Sequence, residues 1–485
     1  MGIPRILLAA GASGSGKTMI TCGILQALCD RGMKVASFKC GPDYIDPMFH
    51  SRVIGTKSRN LDTFFSDENT ARYLFLKEAR KADISVIEGV MGYYDGLGGI
   101  SVKASAYDAA RVTDTPVILI VNVRGMSVSA LAQIKGFLEF RQDSRIKGVI
   151  FNQISSMLYP RMKNMVEEQL GIAVYGYVPV VKELNLESRH LGLILPHEIS
   201  DLRKKLKKLA GILEETLDLE ALIRLAEEAG PLYAEDPVPR EYLAGENETL
   251  CQEFSESQGQ KEVLSETLLM PTIAVAKDEV FCFLYEDNLE LLQRMGAKLC
   301  FFSPLKDQTL PECQGLLLCG GYPELYGKAL SENQSMRESI RTALQQGLPC
   351  MAECGGFLYL QESLEDLEGR SYPMVGAIQG HGYSTKKLGR FGYITLEPLK
   401  NQMLGQDVGP IRGHEFHYYE STCCGSSFYA AKPESSRGWD CIQGKETLVA
   451  GFPHLYYYSN PKAAWRFVEK CREYMRKKAD ETGDF

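Results

Sequence analysis

The segment with the most recognisable chemistry lies close to the N-terminus. Gly11-Ala-Ser-Gly-Ser-Gly-Lys17-Thr18 fits the pattern G-x-x-x-x-G-K-[ST] of a phosphate-binding loop. It follows an apolar, strand-like segment and precedes the helix-compatible MITCGILQALCDRG, which is the context such a loop requires. We expect the backbone around Gly14 and Gly16 to face phosphates, Lys17 to reach the outer phosphates and the Thr18 hydroxyl to ligate Mg²⁺.

A metal ion beside such a loop needs acidic partners. Glu88 ends the apolar run DISVIEG, and Asp43 follows the second predicted strand in KCGPDYIDP. With Thr18, these carboxylates would give Mg²⁺ the few hard oxygen ligands that it prefers. Solvated loop charges are the alternative for both acids.

Three further charged residues accompany the same predicted strand ends. Asp46 and Asp95 lie in Gly- and Pro-rich loops, where open α/β sheets bind ligands, so substrate positioning or turn chemistry would explain them. Lys39 precedes Cys40 and would point a cation into the same crevice, unless it is an ordinary surface lysine.

A second reactive pattern lies in the C-terminal half. Cys354, in Met351-Ala-Glu-Cys-Gly-Gly356, follows a strand-like run and precedes FLYLQESL. A cysteine on a tight strand-to-helix turn has nucleophile-elbow geometry. We expect an exposed sulfur and a thiolate favoured by the helix N-terminus, which lowers the pKa of a thiol. A buried structural cysteine is the alternative.

A thiol nucleophile needs a base. His454, in GFPHLYYYSNP, is the best placed of the seven histidines, and His414 and His417 in RGHEFHYYES are rivals. The latter two are predicted to lie on a strand and to face opposite ways. A metal site formed by these two and His381 is disfavoured, because no cysteine or carboxylate spacing supports it.

Backbone N–H groups that would stabilise a tetrahedral oxyanion are also recognisable. Leu318-Cys-Gly-Gly321-Tyr-Pro-Glu stands at the end of another predicted strand. The amides of Gly321 and Gly355 are the candidates for an oxyanion hole. A plain glycine turn is the alternative.

The elements that must position these residues form two α/β domains. Apolar strands alternate with amphipathic stretches up to about residue 233, and the alternation restarts after a polar, acidic stretch. We predict a synthetase-like ATP-binding domain with a parallel sheet at 1–233, a linker at 234–270 and a second α/β domain at 271–464. A charged helical tail would follow at 465–485.

Composition excludes several classes of function. The net charge of −8 argues against nucleic-acid or membrane-surface binding, because such surfaces need clustered Lys and Arg. No apolar run approaches the roughly 20 residues of a membrane-spanning helix. The 14 cysteines lack C-x-x-C pairs and the N-terminus begins like a strand, so a reduced, cytoplasmic location is expected.

The ordered series of motifs resembles the cobyrinate a,c-diamide synthase family over nearly the whole chain. The phosphate loop is followed by KCGPDYIDP, VIEGVMGYYDG, SRHLGL, CGGYPE, AECGGFLYL and GHEFHYYES. The resemblance implies an N-terminal domain similar to dethiobiotin synthetase and a C-terminal class I glutamine amidotransferase domain. It also implies ATP, L-glutamine, Mg²⁺ and a corrinoid substrate, whereas a homodimer is compatible with the sequence but not specified by it.

The resemblance carries roles onto individual residues. It implies that Cys354 is the glutaminase nucleophile and that His454 raises its nucleophilicity. It further implies that Asp43 and Glu88 complete the Mg²⁺ site, that Asp95 serves the activated carboxylate and that Asn152 contacts adenine.

One position departs from the pattern of many class I amidotransferases. They carry a Glu two residues after the histidine, where this chain has Tyr456. His454 must therefore be oriented by another group, and a slower, substrate-gated glutaminase would be consistent with this.

The expected reaction is ATP- and glutamine-dependent amidation of the a and c carboxylates of cobyrinic acid in cobalamin biosynthesis. Hydrogenobyrinic acid and nickel sirohydrochlorin are alternative substrates, because the motifs report carboxylate activation and ammonia supply more than ring identity. A nucleotide switch of the partitioning type shares the phosphate loop and the parallel sheet, but it needs no glutaminase.

Overall fold

The computed structural model of the protein describes residues 2–181, 198–244 and 270–482. The chain forms two compact units, Met1–Pro237 and Val238–Phe485. The SRHLGL motif and most of the predicted linker lie outside the described residues. Residues 238–244, placed in the linker by composition, belong to the second unit, where Ala244 N–H donates to Arg294. The limits of 233 and 271 remain predictions.

The first unit is built on a seven-stranded parallel sheet in the order β3-β2-β4-β1-β5-β6-β7. The strands are β1 Arg5–Ala10, β2 Val35–Cys40, β3 Lys57–Leu61, β4 Ile84–Glu88, β5 Val117–Asn122, β6 Ile146–Asn152 and β7 Ala173–Val178. Eight α-helices accompany them in the described residues: Lys17–Asp30, Ile45–Phe49, Glu68–Ala79, Ala106–Val112, Ser129–Glu139, Tyr159–Leu170, Glu198–Thr216 and Leu219–Glu227.

Strand β1 shows why the sheet is covered on both faces. All six of its residues are buried. Successive side chains point to opposite faces, so Leu7 and Ala9 join one apolar core while Ile6 and Leu8 join the other. A strand buried on both faces is the continuous apolar run that parallel sheets produce. The predicted parallel α/β domain is confirmed.

The second unit contains a six-stranded sheet in the order β10-β8-β11-β13-β23-β22, in which only the β22–β23 pair is antiparallel. These strands are β8 Thr272–Ala276, β10 Lys298–Phe302, β11 Gly315–Leu318, β13 Cys350–Glu353, β22 Gln443–Lys445 and β23 Leu448–Gly451. The helices of this unit are Glu286–Arg294, Gly327–Glu332, Gln334–Gln345, Gly355–Leu360 and Pro461–Thr482.

Smaller sheets complete the second unit. A five-stranded antiparallel sheet has the order β21-β20-β17-β18-β24, a four-stranded sheet the order β15-β14-β16-β19, and a pair joins β12 to β9. Their strands are β9 Phe281–Phe283, β12 Gly320–Gly321, β14 Ser363–Glu365, β15 Ser371–Pro373, β16 His381–Ser384, β17 Phe391–Pro398, β18 Ile411–Phe416, β19 Tyr419–Ser421, β20 Phe428–Ala431, β21 Gly438–Cys441 and β24 His454–Leu455.

The final helix is packed rather than freely projecting. Its residues Ala463, Phe467, Val468 and Cys471 are fully buried within the second unit. The charged residues between them lie on the outer face, where Lys470 pairs with Glu473 at 2.7 Å. The predicted charged amphipathic helix is therefore present, and its apolar face contributes to the core of the unit.

Candidate functional site: a nucleotide cluster and a cysteine–histidine site

The nucleotide-binding motif lies at the carboxyl ends of three neighbouring strands. In the parallel register, Glu88 of β4 stands opposite Leu8 of β1 on one side and Lys39 of β2 on the other. The chain leaves β1 through the phosphate loop, and the strand order reverses direction at β1 and β4. This is the topological switch point at which open α/β sheets bind ligands.

The phosphate loop has the backbone that its glycines predict. Gly14 and Gly16 have φ of +76° and +91°, and Gly16 precedes the helix that begins at Lys17. A side chain at Gly16 would collide with Asn152, because an added Cβ would lie 2.3 Å from Asn152 Nδ2. Lys17 is buried and its ammonium donates to the carbonyls of Ala12 and Met91. Burial, with Lys39 nearby, lowers the pKa of Lys17.

Glu88 is the centre of a buried polar cluster. The Thr18 hydroxyl donates to its Oε1 at 2.6 Å, and the Lys39 ammonium donates to the same oxygen at 2.8 Å. His50 Nε2 lies 3.3 Å from Glu88 Oε2. Burial alone would raise the pKa of Glu88, but Lys39 and His50 hold it well below its usual range. Glu88 is therefore a carboxylate.

Lys39 is not a surface lysine. It is buried and pairs with Glu88 and Asp46, while Asp43 Oδ2 lies 3.9 Å from its ammonium. Burial lowers the pKa of Lys39, but Glu88, Asp46 and Asp43 outweigh it and hold the pKa above its usual value. Burial, followed by Glu88, raises the pKa of Asp46 to about 8 against the opposing effect of Lys39.

The residues fit a Mg²⁺ ion in charge and in donor type. Thr18, Glu88, Asp43 and Asp46 present hard oxygens, and the Lys39 ammonium pairs with these carboxylates. Within that part, no group of three or more His, Cys, Asp or Glu side chains is arranged to hold a metal unaided. Mg²⁺ commonly completes its coordination with phosphates and waters.

Asp95 and Asn152 lie beside the phosphate loop, and each makes a different hydrogen bond there. Asp95 Oδ2 accepts the Gly92 N–H at 2.9 Å and lines a cavity that also contacts Gly11. Asn152 ends β6, and its Nδ2 donates to the Ser15 carbonyl at 2.9 Å. Its buried Oδ1 has no hydrogen-bond partner among the described residues. An acceptor is therefore available next to the loop.

The second site is formed at the ends of β13 and β23. These strands are parallel neighbours, Glu353 stands opposite Gly451, and Cys354 N–H donates to the Gly451 carbonyl at 2.8 Å. Cys354 has φ +47° and ψ −102° between the strand and the helix Gly355–Leu360. A non-glycine residue in this region is strained, which the predicted elbow requires. His454 follows three residues after Gly451.

The prediction of an exposed sulfur with a lowered pKa is wrong. Cys354 is only 7% exposed. Burial, with the Glu324 carboxylate nearby, raises the pKa of the Cys354 thiol well above its usual range. The effect of burial outweighs that of the helix N-terminus here. The short helix contributes only a partial positive charge, whereas burial removes the hydration of the full negative charge of a thiolate. The resting residue is a thiol.

His454 is held by groups that sequence reasoning did not identify. Its Nδ1 lies 3.6 Å from Glu353 Oε2, and Glu353 Oε1 accepts the Leu455 N–H at 3.3 Å. Its ring stacks on His414 with centroids 4.9 Å apart. Burial, followed by His454, lowers the pKa of His414 well below its usual value. Tyr456 instead donates to Asp287.

The candidate oxyanion amides are adjacent. An added Cβ on Gly355 would lie 3.0 Å from the Gly321 nitrogen. Gly321 itself has no room for a side chain, because an added Cβ would lie 1.8 Å from the Val280 carbonyl. The glycines thus permit close packing of two loops beside Cys354, and a plain surface turn does not describe them.

Of the two rival histidines, His414 lies on the predicted strand, but the strand prediction is wrong for His417, because β18 ends at Phe416. His414 lies in β18, opposite His454 of β24, and His417 stacks on Phe452 at 4.0 Å. His381 is exposed and lies 2.8 Å from Ser363 Oγ. The disfavoured His381–His414–His417 metal site is not present among the described residues.

Three missed residues had recognisable signals. Glu353 is the neighbour of the nucleophile in AECGG, and Glu324 ends the motif CGGYPE. His50 is the third residue after KCGPDYIDP. A charged or ionisable residue next to a predicted catalytic loop was visible in each case, but the partner that each one contacts is distant in sequence.

Comparison with known proteins identifies both domains. Residues 6–194 match the family described as the CobQ/CobB/MinD/ParA nucleotide binding domain. Residues 272–457 match the family described as the CobB/CobQ-like glutamine amidotransferase domain. A nucleotide-binding domain joined to a glutamine amidotransferase domain defines the class: a glutamine-dependent, amide-forming ligase.

Full-length relatives define the family. The chain is 39% identical to a cobyrinate a,c-diamide synthase of Caldanaerobacter subterraneus subsp. tengcongensis, over 98% of this chain and 100% of that protein. It is 39% identical to the enzyme of that name from Listeria innocua, over 94% and 97%, and 34% identical to that of Priestia megaterium, over 98% and 99%. The chain belongs to the cobyrinate a,c-diamide synthase family.

In the described residues, no helix is both long and apolar enough to cross a membrane.

Proposed function

We propose that this protein uses ATP and glutamine to convert the a and c carboxylates of cobyrinic acid to amides. One observation carries the proposal: a single chain assembles a charged cluster at a phosphate loop and, at a second site, a strained cysteine whose neighbour Glu353 lies 3.6 Å from His454. The first suits carboxylate activation, and the second suits the release of ammonia from an amide. The names of the full-length relatives supply the substrate.

In the activation step, a substrate carboxylate oxygen attacks the γ-phosphorus of ATP and ADP leaves. Lys17 and the loop amides hold the phosphates, and the Asn152 Oδ1 acceptor suits the adenine amino group. Mg²⁺, when held by Thr18, Glu88 and Asp43, offsets negative charge on the transferring group. Asp95 and Asp46 position the substrate carboxylate or, after its phosphorylation, the ammonia that attacks the acyl carbon.

In the amidation step, the nitrogen of ammonia attacks the acyl carbon of the mixed anhydride. The C–O bond to phosphate breaks, phosphate leaves and the nitrogen loses a proton. A carboxylate is a poor acyl donor, and phosphorylation turns one of its oxygens into part of a good leaving group. The same sequence repeated on the second carboxylate gives the diamide.

In the glutaminase step, His454 takes the Cys354 proton as the sulfur attacks the side-chain amide carbon of glutamine. The Gly321 and Gly355 amides donate to the oxyanion, and His454 returns the proton to the departing ammonia. Water then hydrolyses the thioester to glutamate. Glu353 acts as a positioning residue that orients His454 through Nδ1.

Mass spectrometry of the products tests the proposal. Cobyrinic acid is incubated with the protein, Mg-ATP and glutamine, beside parallel reactions with hydrogenobyrinic acid and nickel sirohydrochlorin. The expected product is the diamide of cobyrinic acid. Diamide formed from one of the other two tetrapyrroles alone would reassign the substrate, and ATP-dependent assembly without any amidation would favour a nucleotide switch.

A further inference from the structure

An aromatic cavity opens directly beside the phosphate loop. It has a volume of about 430 Å³ and is lined by Gly11 of the loop, Asp95, and the rings of Tyr94, Phe137 and Phe140. Ligand sites typically combine an apolar lining with a few placed polar groups, in volumes of about 300–1,000 Å³. In the proposed mechanism Gly11 belongs to the phosphate loop and Asp95 positions the substrate, whereas the aromatic rings have no role.

The rings are held in a defined arrangement. Tyr94 and Phe137 stack with centroids 5.8 Å apart and planes at 10°, and the Tyr94 hydroxyl donates to the Phe137 carbonyl at 2.7 Å. Phe140 packs 4.8 Å from Tyr94 and is 60% exposed. An ordered aromatic wall that remains open to solvent is suited to contact the face or edge of another flat ring.

The rim of the cavity carries a cation. The guanidinium carbon of Arg141 lies 5.2 Å from the centroid of the Phe140 ring. Arg141 is exposed and makes no ion pair in the described part of the chain. A guanidinium over an aromatic ring is placed to bind a carboxylate in two-point fashion while the ring contacts apolar surface.

We propose that this cavity binds one edge of the tetrapyrrole macrocycle, with Tyr94, Phe137 and Phe140 against the ring and Arg141 on a peripheral carboxylate. The inference rests on the proposed function and adds the residues that hold the ring. The cavity is large enough for only part of a macrocycle. The edge that carries the reacting carboxylate enters the cavity, and the rest of the macrocycle stays outside it. Because Gly11 and Asp95 both line this cavity, a carboxylate on that edge reaches the phosphate loop.

Binding of cobyrinic acid to the full-length protein, followed by its visible absorbance without ATP, tests this assignment. Phe140→Ala is expected to raise the Kd about 5- to 10-fold, the effect of losing one aromatic contact. The KM for cobyrinic acid should rise equally, while the KM values for ATP and glutamine stay unchanged. Phe140→Tyr, which keeps the ring, should restore wild-type binding.

Phe301→Ala is the matched control. Phe301 is 50% exposed and has the Lys277 ammonium 4.7 Å from its ring centroid, but it lies in the other unit. The Phe301→Ala substitution should leave the Kd and the KM for cobyrinic acid unaltered. Wild-type affinity in Phe140→Ala would overturn the inference, as would a shift toward monomer in sedimentation with unchanged Kd, which would assign the aromatic face to an interface between copies.

Failure of the proposed function is distinguishable from failure of the inference. If cobyrinic acid is neither bound nor amidated, the same titration is run with hydrogenobyrinic acid and nickel sirohydrochlorin. Loss of affinity for either ring in Phe140→Ala would support the cavity as a tetrapyrrole site although the substrate had been misassigned. Equal affinity of wild type and variant for every ring that binds would overturn the inference alone.

Discussion

The two reactive regions use the same backbone device and opposite electrostatics. Each is built where neighbouring parallel strands end, one around Glu88 and the other around Cys354. The nucleotide cluster keeps Glu88 and Lys39 charged, because the buried carboxylate and the buried ammonium stabilise each other. The cysteine site keeps its nucleophile neutral, because burial and Glu324 oppose the thiolate.

The difference in electrostatics corresponds to the ligands that each region is proposed to bind. The carboxylates of the nucleotide cluster can bind a divalent cation, and Lys17 can pair with the phosphates that the cation accompanies. The Cys354 thiol, whose pKa burial raises, is a weaker nucleophile than a thiolate until a base removes its proton. The first region therefore binds charged ligands, and the second depends on its base for reactivity.

The largest expected effect comes from removing the sulfur of Cys354, which separates the contributions of the two regions to activity. Cys354→Ser should lower glutamine-dependent amidation by about 10³-fold or more, because the hydroxyl is a far weaker nucleophile without a stronger base. Ammonia-dependent amidation should remain at the wild-type rate, since the nucleotide cluster is intact. Product analysis with each nitrogen donor measures both.

Cys300→Ser is the control for Cys354→Ser, because Cys300 is a half-buried strand residue of the same unit. It should retain both activities. Loss of ammonia-dependent activity in Cys354→Ser would contradict the division of labour between the two regions.

The complementary change acts on the nucleotide cluster. Glu88→Gln should lower amidation from both nitrogen donors by about 10²-fold or more, because the metal loses a ligand and the transferring phosphoryl group loses charge compensation. It should also lower the free energy of unfolding by about 3 kcal/mol, because Lys39 and His50 lose a buried partner. Urea denaturation and steady-state assays measure these effects.

Glu68→Gln provides the matched comparison for Glu88→Gln. Glu68 pairs with Arg72 and Arg111 at the surface, so its loss should cost under about 1 kcal/mol and leave activity unchanged. Full amidation by Glu88→Gln would remove Glu88 from the metal site.

A smaller effect concerns the positioning of His454. Glu353→Gln should slow glutamine hydrolysis by roughly 10²-fold, because the amide no longer favours the imidazolium that forms as Cys354 loses its proton. Ammonia-dependent amidation should be unchanged. The pH dependence of Cys354 alkylation by iodoacetamide should shift, which a purely structural effect would not produce.

Glu397→Gln, an exposed strand carboxylate of the same unit, should behave as wild type in each of these assays. An unaltered alkylation profile in Glu353→Gln would show that another group orients the histidine.

The smallest effect is a pH dependence of folding stability. Burial raises the pKa of Glu324 from its ordinary 4.5 to about 7. The folded state therefore holds this proton more tightly than the unfolded state, and the stabilisation present below pH 4.5 is lost as the pH rises through about 7. Glu324→Gln should be more stable than wild type at pH 8, by about 1 kcal/mol after allowance for partial solvation, and equal to it at pH 4.

Chemical denaturation of both proteins across this pH range measures the difference. An equal difference in stability at pH 4 and pH 8 would mean that Glu324 does not change its charge between the two states within this window.

The sequence by itself determined the chemistry and its local geometry. Glycine spacing, an apolar strand and a following helix were enough to predict the phosphate loop, because these are interactions within a few residues. The same holds for Cys354, whose small neighbours permit a strained turn. Buried apolar runs likewise predicted a parallel sheet in the first domain and α/β structure in the second, since only covered strands tolerate such runs.

Tertiary structure decided which groups meet and in what protonation state. The pairing of β2 with β4 converts Lys39 from a lysine of unknown exposure into the buried partner of Glu88, and no local pattern contains that pairing. Burial likewise reverses the expected pKa shift of Cys354. The closeness of Glu353 to His454 depends on β13 and β23 being neighbours, although about 100 residues of chain separate them. Contacts of this range depend on the order of strands, which the sequence of each strand does not encode.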